Sequence, residues 1–352
     1  MDRKLTVNLN ENSYDIIIEK GIISSLGEKV KSLYSGQKIF IITDENIFKY
    51  YGKAVEENLL KAGYEVDTLV LLPGEATKSF FTLPNIYERM LSFKLNRKDL
   101  IITLGGGVVG DLGGFAASTF LRGIAYIQVP TSLLAQVDSS IGGKVAVNLS
   151  VGKNLVGSFY QPRGVFIDPE VLETLPDKDY TDGMAEVIKY GCIKDAGLFH
   201  KLSAYKNRQE VMTYIEEIIY TCCNIKKSIV ELDEKDYGER MLLNFGHTFG
   251  HAIEKYFNFE KYSHGQAVAI GMSAVTKISE SIGITKKGTF QEIINILKQH
   301  HLPTQIDIDH LQPILDSIEL DKKNTDSSLQ IILLKELGQS MIYATTPSFF
   351  IS

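Results

Sequence analysis

Short apolar runs alternate with amphipathic stretches through the first half of the chain. Lys38-Ile39-Phe40-Ile41-Ile42-Thr43-Asp44 is apolar without a break and ends in polar residues, the pattern of a parallel strand buried on both faces. Tyr51 to Ala62 has helical spacing, stopped by Gly63. Val66 to Leu72 predicts a second strand closed by Pro73-Gly74, and Leu83 to Phe93 a helix. Leu100 to Leu104 predicts a third strand that runs straight into Gly105-Gly106-Gly107. Ile124 to Val129 and Gly164 to Ile167 complete the set, and a strand-like segment also begins near Met1. Such alternation predicts an α/β layer with a parallel-type sheet.

After about Pro169 the period lengthens. Asp182 to Tyr190, Val211 to Val230, Gly246 to Tyr256, Gln266 to Ser279 and Phe290 to Lys298 predict helices. Only Leu329 to Leu334 and Met341 to Tyr343 suggest strands. With 352 residues, two domains are expected. They are an α/β domain over 1–168 and a mainly α-helical one over 169–352, with the boundary between Pro162 and Pro176. Crevices beyond strand ends and domain interfaces both favour sites, so the site is expected between the halves.

The glycine run Gly105-Gly106-Gly107-Val108-Val109-Gly110-Asp111, followed by Gly113-Gly114, permits positive φ and close backbone approach. A helix starting near Gly110 would present free N–H groups to a pyrophosphate. The spacing is neither the usual dinucleotide fingerprint nor a P-loop, so a structural tight turn stays open. Asp44 and Asn46 follow a strand end, where they could contact a ribose or cap a helix. Glu75 and Lys78 follow Pro73-Gly74, as a surface turn or as polar groups reaching a cofactor.

Farther on, Thr131-Ser132 leads through Asp138 to Gly142-Gly143-Lys144 and Gly152-Lys153-Asn154. Lys144 and Lys153 sit among small and apolar residues, an unusual setting for solvated lysines and a suitable one for an anionic ligand. In the second half, Glu186 and Lys189 are three apart on a helix that Asp182 is expected to start. His247 and His251 share a helix face at four-residue spacing, and His264 is expected on a turn. Thr248 stands where the zinc-protease motif has glutamate, which argues against a metalloprotease. A catalytic zinc takes three protein ligands; spacing offers Glu186, His247, His251 and His264 without choosing among them. Lys226, Arg240 and Lys322-Lys323 add candidate anion contacts, for which solvent exposure is the simpler reading of Lys226 and the pair.

Composition narrows the classes. A formal charge of −6, from 37 basic and 43 acidic residues, argues against general nucleic-acid or anionic-membrane binding. The opening residues lack a signal-peptide profile, and no apolar stretch is long enough to span a bilayer. Cys192, Cys222 and Cys223 are too few and too clustered for a disulfide framework, which predicts a reducing, cytoplasmic setting.

Along nearly its whole length the chain resembles the 3-dehydroquinate synthase family of sugar-phosphate cyclases. The runs that carry the resemblance are GGGVVGDLGGFAASTFLRG from Gly105, VPTSLLAQVDSSIGGKVAVN from Val129 and GKNLVGSFYQP from Gly152. In the second half they are EVIKYG from Glu186, RMLLNFGHTFGHAIE from Arg240, HGQAVAIGM from His264 and DKK from Asp321. The resemblance implies zinc, with Co2+ as an alternative, on Glu186, His247 and His264, which makes His251 a substrate-site residue. It implies NAD against Gly105, Gly106, Gly107, Val108, Gly110 and Asp111, near Thr131 and Ser132, with Asp44, Asn46, Glu75 and Lys78 around its ribose and adenosine portions.

Asp138, Lys144, Asn154, Lys189, Lys226, Arg240, Asn244, His251 and one of Lys322 and Lys323 match substrate positions, and Lys153 matches a neighbouring lysine. Arg122 matches a residue that reaches the phosphate site of a second subunit, which implies a homodimer. The implied reaction turns 3-deoxy-D-arabino-heptulosonate 7-phosphate into 3-dehydroquinate and phosphate. It proceeds by transient oxidation with NAD, elimination, reduction, ring opening and aldol closure, without net NAD turnover.

One residue departs from the family pattern. Gln266 stands where glutamate is usual, two residues after His264, and zinc binding and activity are expected to be retained. Competing readings are another sugar-phosphate cyclase, a metal-dependent polyol dehydrogenase with net NADH formation, and a non-catalytic nucleotide-binding scaffold.

Overall fold

The apolar runs of the first half are buried on both faces, as their unbroken hydrophobicity requires. In the computed structural model, which describes residues 3–308, 311–323 and 329–351, the chain divides into two compact units. One comprises Met1–Pro176 with Lys226–Glu234, and the other Asp177–Ile225 with Lys235–Ser352.

The first unit holds β1 (Arg3–Val7), β2 (Tyr14–Ile18), β3 (Lys38–Asp44), β4 (Glu65–Leu71), β5 (Leu100–Gly105), β6 (Ala125–Pro130), β7 (Lys144–Leu149), β8 (Gly152–Phe159) and β9 (Gly164–Ile167). Seven of them form one sheet in the order β1-β2-β9-β6-β5-β3-β4. Every pairing in it is parallel except β1 with β2. Residues alternate between two cores. Phe40, Ile42 and Ile101 pack with Leu83, Ile86 and Met90 of the Leu83–Ser92 helix and with Leu112 and Phe115 of the Gly107–Thr119 helix. Ile39, Ile41 and Ile102 face the other way, onto Leu26 and Val30 of the Leu26–Lys31 helix and Val55 and Leu59 of the Lys53–Lys61 helix. Burial on both faces gives these strands about 25 cal/mol of stabilisation per Å² of apolar surface removed from water.

β3 lies between β4 on one side and β5 on the other, so the chain reverses direction across the sheet there. That reversal opens a crevice beyond the carboxyl ends of β3 and β5, where Asp44 and Gly105 stand. β7 and β8 form a separate antiparallel hairpin that the periodicity did not predict. Its residues are those in which Lys144, Lys153 and Asn154 stood out.

The second unit is mainly helical. Its principal helices are Asp177–Lys194, His247–Tyr256, His264–Ser281 and Thr289–Gln299, with one antiparallel hairpin of β10 (Leu329–Glu336) and β11 (Gln339–Thr345). The Ile215–Leu232 helix contributes its residues up to Ile225 to this unit and the rest to the first. Among the described residues no helix is long and apolar enough to cross a membrane.

Three local expectations change. The helix after β5 begins at Gly107, not near Gly110. Asp182 lies inside its helix, which starts at Asp177, and its carboxylate accepts the N–H of Gly265 at 2.6 Å. His264 is on no turn: it is the first residue of a helix capped by Ser263. A Ser-x-x-Gln capping box, with Ser263 at its head and Gln266 at its third helical position, explains that start.

Candidate functional site

In the first unit, β5 delivers its carboxyl end into Gly106, and the Gly107–Thr119 helix follows with no side chain capping its first turn. Its leading N–H groups are therefore free of side-chain acceptors. None of the six glycines from Gly105 to Gly114 takes positive φ, so of the two roles expected of them the conformational one is absent and close approach is the one they serve. A Cβ on Gly113 would come within 2.5 Å of Thr103 Cγ2, and one on Gly114 within 2.5 Å of Val145 Cγ1. Gly110 likewise faces Gln128, at 2.8 Å. These glycines let the helix lie close on the strands. Gly106 and Gly107 instead face Ser132 and Ser139, with Cβ positions 3.4 Å and 3.1 Å from their hydroxyls.

The polar residues expected nearby fall into a connected group. Buried Lys78 forms an ion pair with Asp111, whose carboxyl burial pushes up while Lys78 opposes the shift. The backbone N–H of Asn148 donates to the Lys78 carbonyl at 2.8 Å, and its side chain donates to Glu75 at 2.7 Å. Asn154, at φ 58°, donates its backbone N–H to Asn148 Oδ1 at 2.9 Å. Asn148 thus ties together three predicted residues; lying within the β7–β8 region, it carried no periodic signal of its own.

Asp44 caps the short helix after β3, accepting from the Ile47 N–H at 3.1 Å, and burial raises its pKa. Asn46 is exposed beside it. Thr131 is buried, its N–H bonded to the Gly105 carbonyl at 3.0 Å and its hydroxyl oxygen without a hydrogen-bond partner; Ser132 accepts from the Ala135 N–H. Val108 is half-buried in the helix's first turn. Lys226, read most simply as solvated, is 5% exposed. Its ammonium donates to the Asp138 carbonyl at 2.7 Å and to Oδ1 at 2.9 Å. Lys144 and Arg122 are exposed, and Lys153 is half-buried.

In the second unit three helices converge on one point. The Asp177–Lys194 helix supplies Glu186 and Lys189, both 1% exposed and paired with each other. His247 and His264 open their respective helices. His247 Nε2 lies 3.4 Å and His264 Nε2 3.6 Å from Glu186 Oε1. One ligand atom from each of the three lies within 4.8 Å of the others. The outer ring nitrogens are also engaged, His247 Nδ1 with the Phe245 carbonyl at 3.1 Å and His264 Nδ1 with Glu254 Oε2 at 3.3 Å.

Burial pushes the Glu186 carboxyl up, but Lys189 and His247 outweigh it and hold it well below the usual range. For His264, burial disfavours the charge, while Glu186 and Glu254 push the imidazole up to about 10. The set His251, Glu254 and His264 also brings three ligand atoms together. Desolvation by the surrounding protein, then the neighbouring imidazoles, push the pKa of His251 down, although its side chain keeps an exposed face. His251 lines a cavity of about 140 Å³ with Met241, Asn244, His247, Thr248 and residues of β10. Arg240 is 2% exposed. Lys322 and Lys323 close the Gln312–Lys323 helix, and the choice between them lies outside the described side chains. Glu254 escaped the sequence reading, although its place seven residues after His247 and three after His251 puts it on the same helix face.

Residues 68–182 match the model of the 3-dehydroquinate synthase N-terminal family, and residues 183–324 that of its C-terminal counterpart. A 3-dehydroquinate synthase of Clostridium botulinum is 62% identical over 348 residues, 99% of each chain. One from Clostridium beijerinckii is 58% identical over 346 residues, 98% of this chain and 99% of the relative. Among solved structures, 2-deoxy-scyllo-inosose synthase complexed with carbaglucose-6-phosphate, NAD+ and Co2+ matches with a TM-score of 0.85 and 27% identity, over 98% of this chain and 95% of the other. Fold and site together define a sugar-phosphate cyclase. Within that class, the chain belongs to the 3-dehydroquinate synthase family.

Proposed function

We propose that the protein is an NAD- and divalent-cation-dependent 3-dehydroquinate synthase, converting 3-deoxy-D-arabino-heptulosonate 7-phosphate to 3-dehydroquinate and phosphate. The observation that carries the reading is 62% identity to a 3-dehydroquinate synthase along 99% of both chains. The 2-deoxy-scyllo-inosose synthase that binds carbaglucose-6-phosphate shares the fold at only 27% identity.

The residues present fit both cofactors. One carboxylate and two imidazoles converge within 4.8 Å, and both buried Glu186 oxygens make ion-pair contacts without an aligned hydrogen bond, which suits a borderline cation such as zinc. For the dinucleotide, the uncapped helix after β5, the cradle at Gly106 and Gly107 and the unpartnered Thr131 hydroxyl offer donors to a pyrophosphate. When bound, NAD and the cation supply reversible hydride transfer and polarisation of a substrate hydroxyl.

The chain's own groups bind and orient. Glu186, His247 and His264 hold the cation. Asp111, through its pair with Lys78, and Glu75, through Asn148, shape the cofactor side in the first unit. Asp44 and Asn46 stand where a ribose would lie beyond β3. Lys144, Lys153, Asn154, Asp138 with Lys226, Lys189 and Arg240, and one of Lys322 and Lys323, hold the carboxylate and phosphate ends of the substrate, which fixes the reacting geometry. Asn244 and His251 line the cavity beside His247, where a ring nitrogen of His251 can take or return a proton. Arg122 serves a second copy of the chain in a homodimer, and the protein works in the cytoplasm.

The test is incubation of the purified protein with the heptulosonate phosphate and NAD, with and without a chelator. Equimolar 3-dehydroquinate and phosphate without accumulated NADH is the expected result, and chelation should abolish it. Turnover of a hexose phosphate instead, or steady NADH formation, would overturn the proposal.

A further inference from the structure

We infer that Glu254 is a positioning residue that sets the ring orientation and tautomer of His264. The inference rests on the reading of Glu186, His247 and His264 as cation ligands. Glu254 is 4% exposed, and a carboxylate is costly to bury unless a partner uses its charge. Its Oε2 lies 3.3 Å from His264 Nδ1. With the Nδ1 proton donated there, the lone pair of a neutral imidazole resides on Nε2, the nitrogen 3.6 Å from Glu186 Oε1. The other tautomer would aim an N–H at the ligand position.

The companion histidine is held in the same way by a different group. His247 Nδ1 lies 3.1 Å from the Phe245 carbonyl, which leaves its Nε2 facing Glu186. Each imidazole thus has an outer acceptor that fixes its inner nitrogen as a ligand. The two acceptors differ in kind. A carbonyl two residues away orients His247 by local geometry, whereas Glu254 reaches His264 from another helix. Glu254 therefore also links the two helices that carry the ligands, and its negative charge raises the donor strength of the His264 ring.

Glu254, His251 and His264 themselves bring three ligand atoms together, and a second cation there is the rival reading. It would require His264 to give both nitrogens to cations and to lose its last ring proton. The geometry is better satisfied by one cation, with Glu254 as its outer partner.

The experiment measures Zn2+ and Co2+ affinity by chelator competition, and metal content per chain, for the wild type, Glu254→Gln and Glu254→Asp. Urea unfolding of the metal-free proteins runs alongside. We expect one ion per chain and affinity lowered by about 10- to 100-fold in Glu254→Gln, with metal-free stability close to wild type and partial recovery in Glu254→Asp. Nitrogen-15 imidazole spectra of the zinc-loaded proteins should show a strongly hydrogen-bonded His264 Nδ1–H in the wild type and a weakened one in Glu254→Gln. Unchanged affinity and an unchanged His264 Nδ1–H signal in Glu254→Gln would overturn the inference while leaving the ligand assignment intact. Two ions per chain would also overturn it. A wild type that binds neither metal would remove the ligand reading itself.

Discussion

Gly271 packs directly against the backbone of Gly246, the residue before His247: a Cβ on Gly271 would lie 1.9 Å from the Gly246 carbonyl oxygen. The contact sets how closely the His247 and His264 helices approach, and so how far apart their first residues stand. Gly246 needs its own missing side chain, since it sits at φ 80° with Met272 N and Val268 O each 2.7 Å from a would-be Cβ. Gly271→Ala is expected to cost about 1–3 kcal/mol of stability, because backbone rather than a flexible side chain must yield. Urea unfolding measures this, and metal titration should show weaker binding in the same variant. Wild-type affinity despite the lost stability would mean that the helix spacing does not control the ligand set.

Removing a proposed ligand should act more sharply than disturbing the scaffold. Glu186→Gln keeps shape but discards the charge that Lys189 and His247 hold in place. We expect metal content below a tenth of wild type and turnover reduced by at least about 10³-fold, since the cation supplies several kcal/mol of charge stabilisation. Full metal content by atomic absorption would contradict this.

Lys226 and Asp138 are 88 residues apart and joined by two hydrogen bonds from one ammonium. Lys226→Met leaves a carboxylate and a carbonyl without that donor; with Lys226 buried but Asp138 a quarter exposed, a loss of about 1–3 kcal/mol is expected. A double-mutant cycle with Asp138→Asn should give a coupling of about 1–3 kcal/mol. Additive effects would show that the pair is incidental.

His300 is 7% exposed, with Nε2 3.3 Å from the Leu202 carbonyl, and burial pushes its pKa below the ordinary value despite that carbonyl. The unfolded chain therefore takes up the proton first. The contribution of His300 is full above about pH 6.5 and declines as the pH falls towards the folded value. His300→Gln should flatten the fall in urea midpoint between about pH 7 and pH 5.5 relative to wild type. Parallel pH profiles would rule this out.

Gln266 accepts the Ser263 N–H at 3.1 Å in the capping box. Glutamate can accept the same bond, so Gln266→Glu should change turnover by less than about tenfold, and a gain of about a hundredfold would show that the missing charge matters.

Much of the fold was legible because burial on both faces leaves unbroken apolar runs, as in Lys38–Asp44 and Leu100–Gly105. The chemistry of the metal site was legible in part. Spacing placed His247 and His251 on one face, but it could not choose between them, since both satisfy the same helical period. Helices far apart in the chain bring Glu186 and His264 beside His247, and His264 beside His251 and Glu254.

By itself the sequence determined the parallel sheet, the helical second half and the supply of carboxylate, imidazole and lysine, because periodicity and residue chemistry are local properties. Tertiary structure alone decided that the glycines after β5 serve close packing rather than positive φ. It buried Lys226 against Asp138, made Asp182 a cap for another helix, and set Glu254 behind His264. Each of these depends on the distance between elements, which side-chain volume and backbone contact set and no local pattern records.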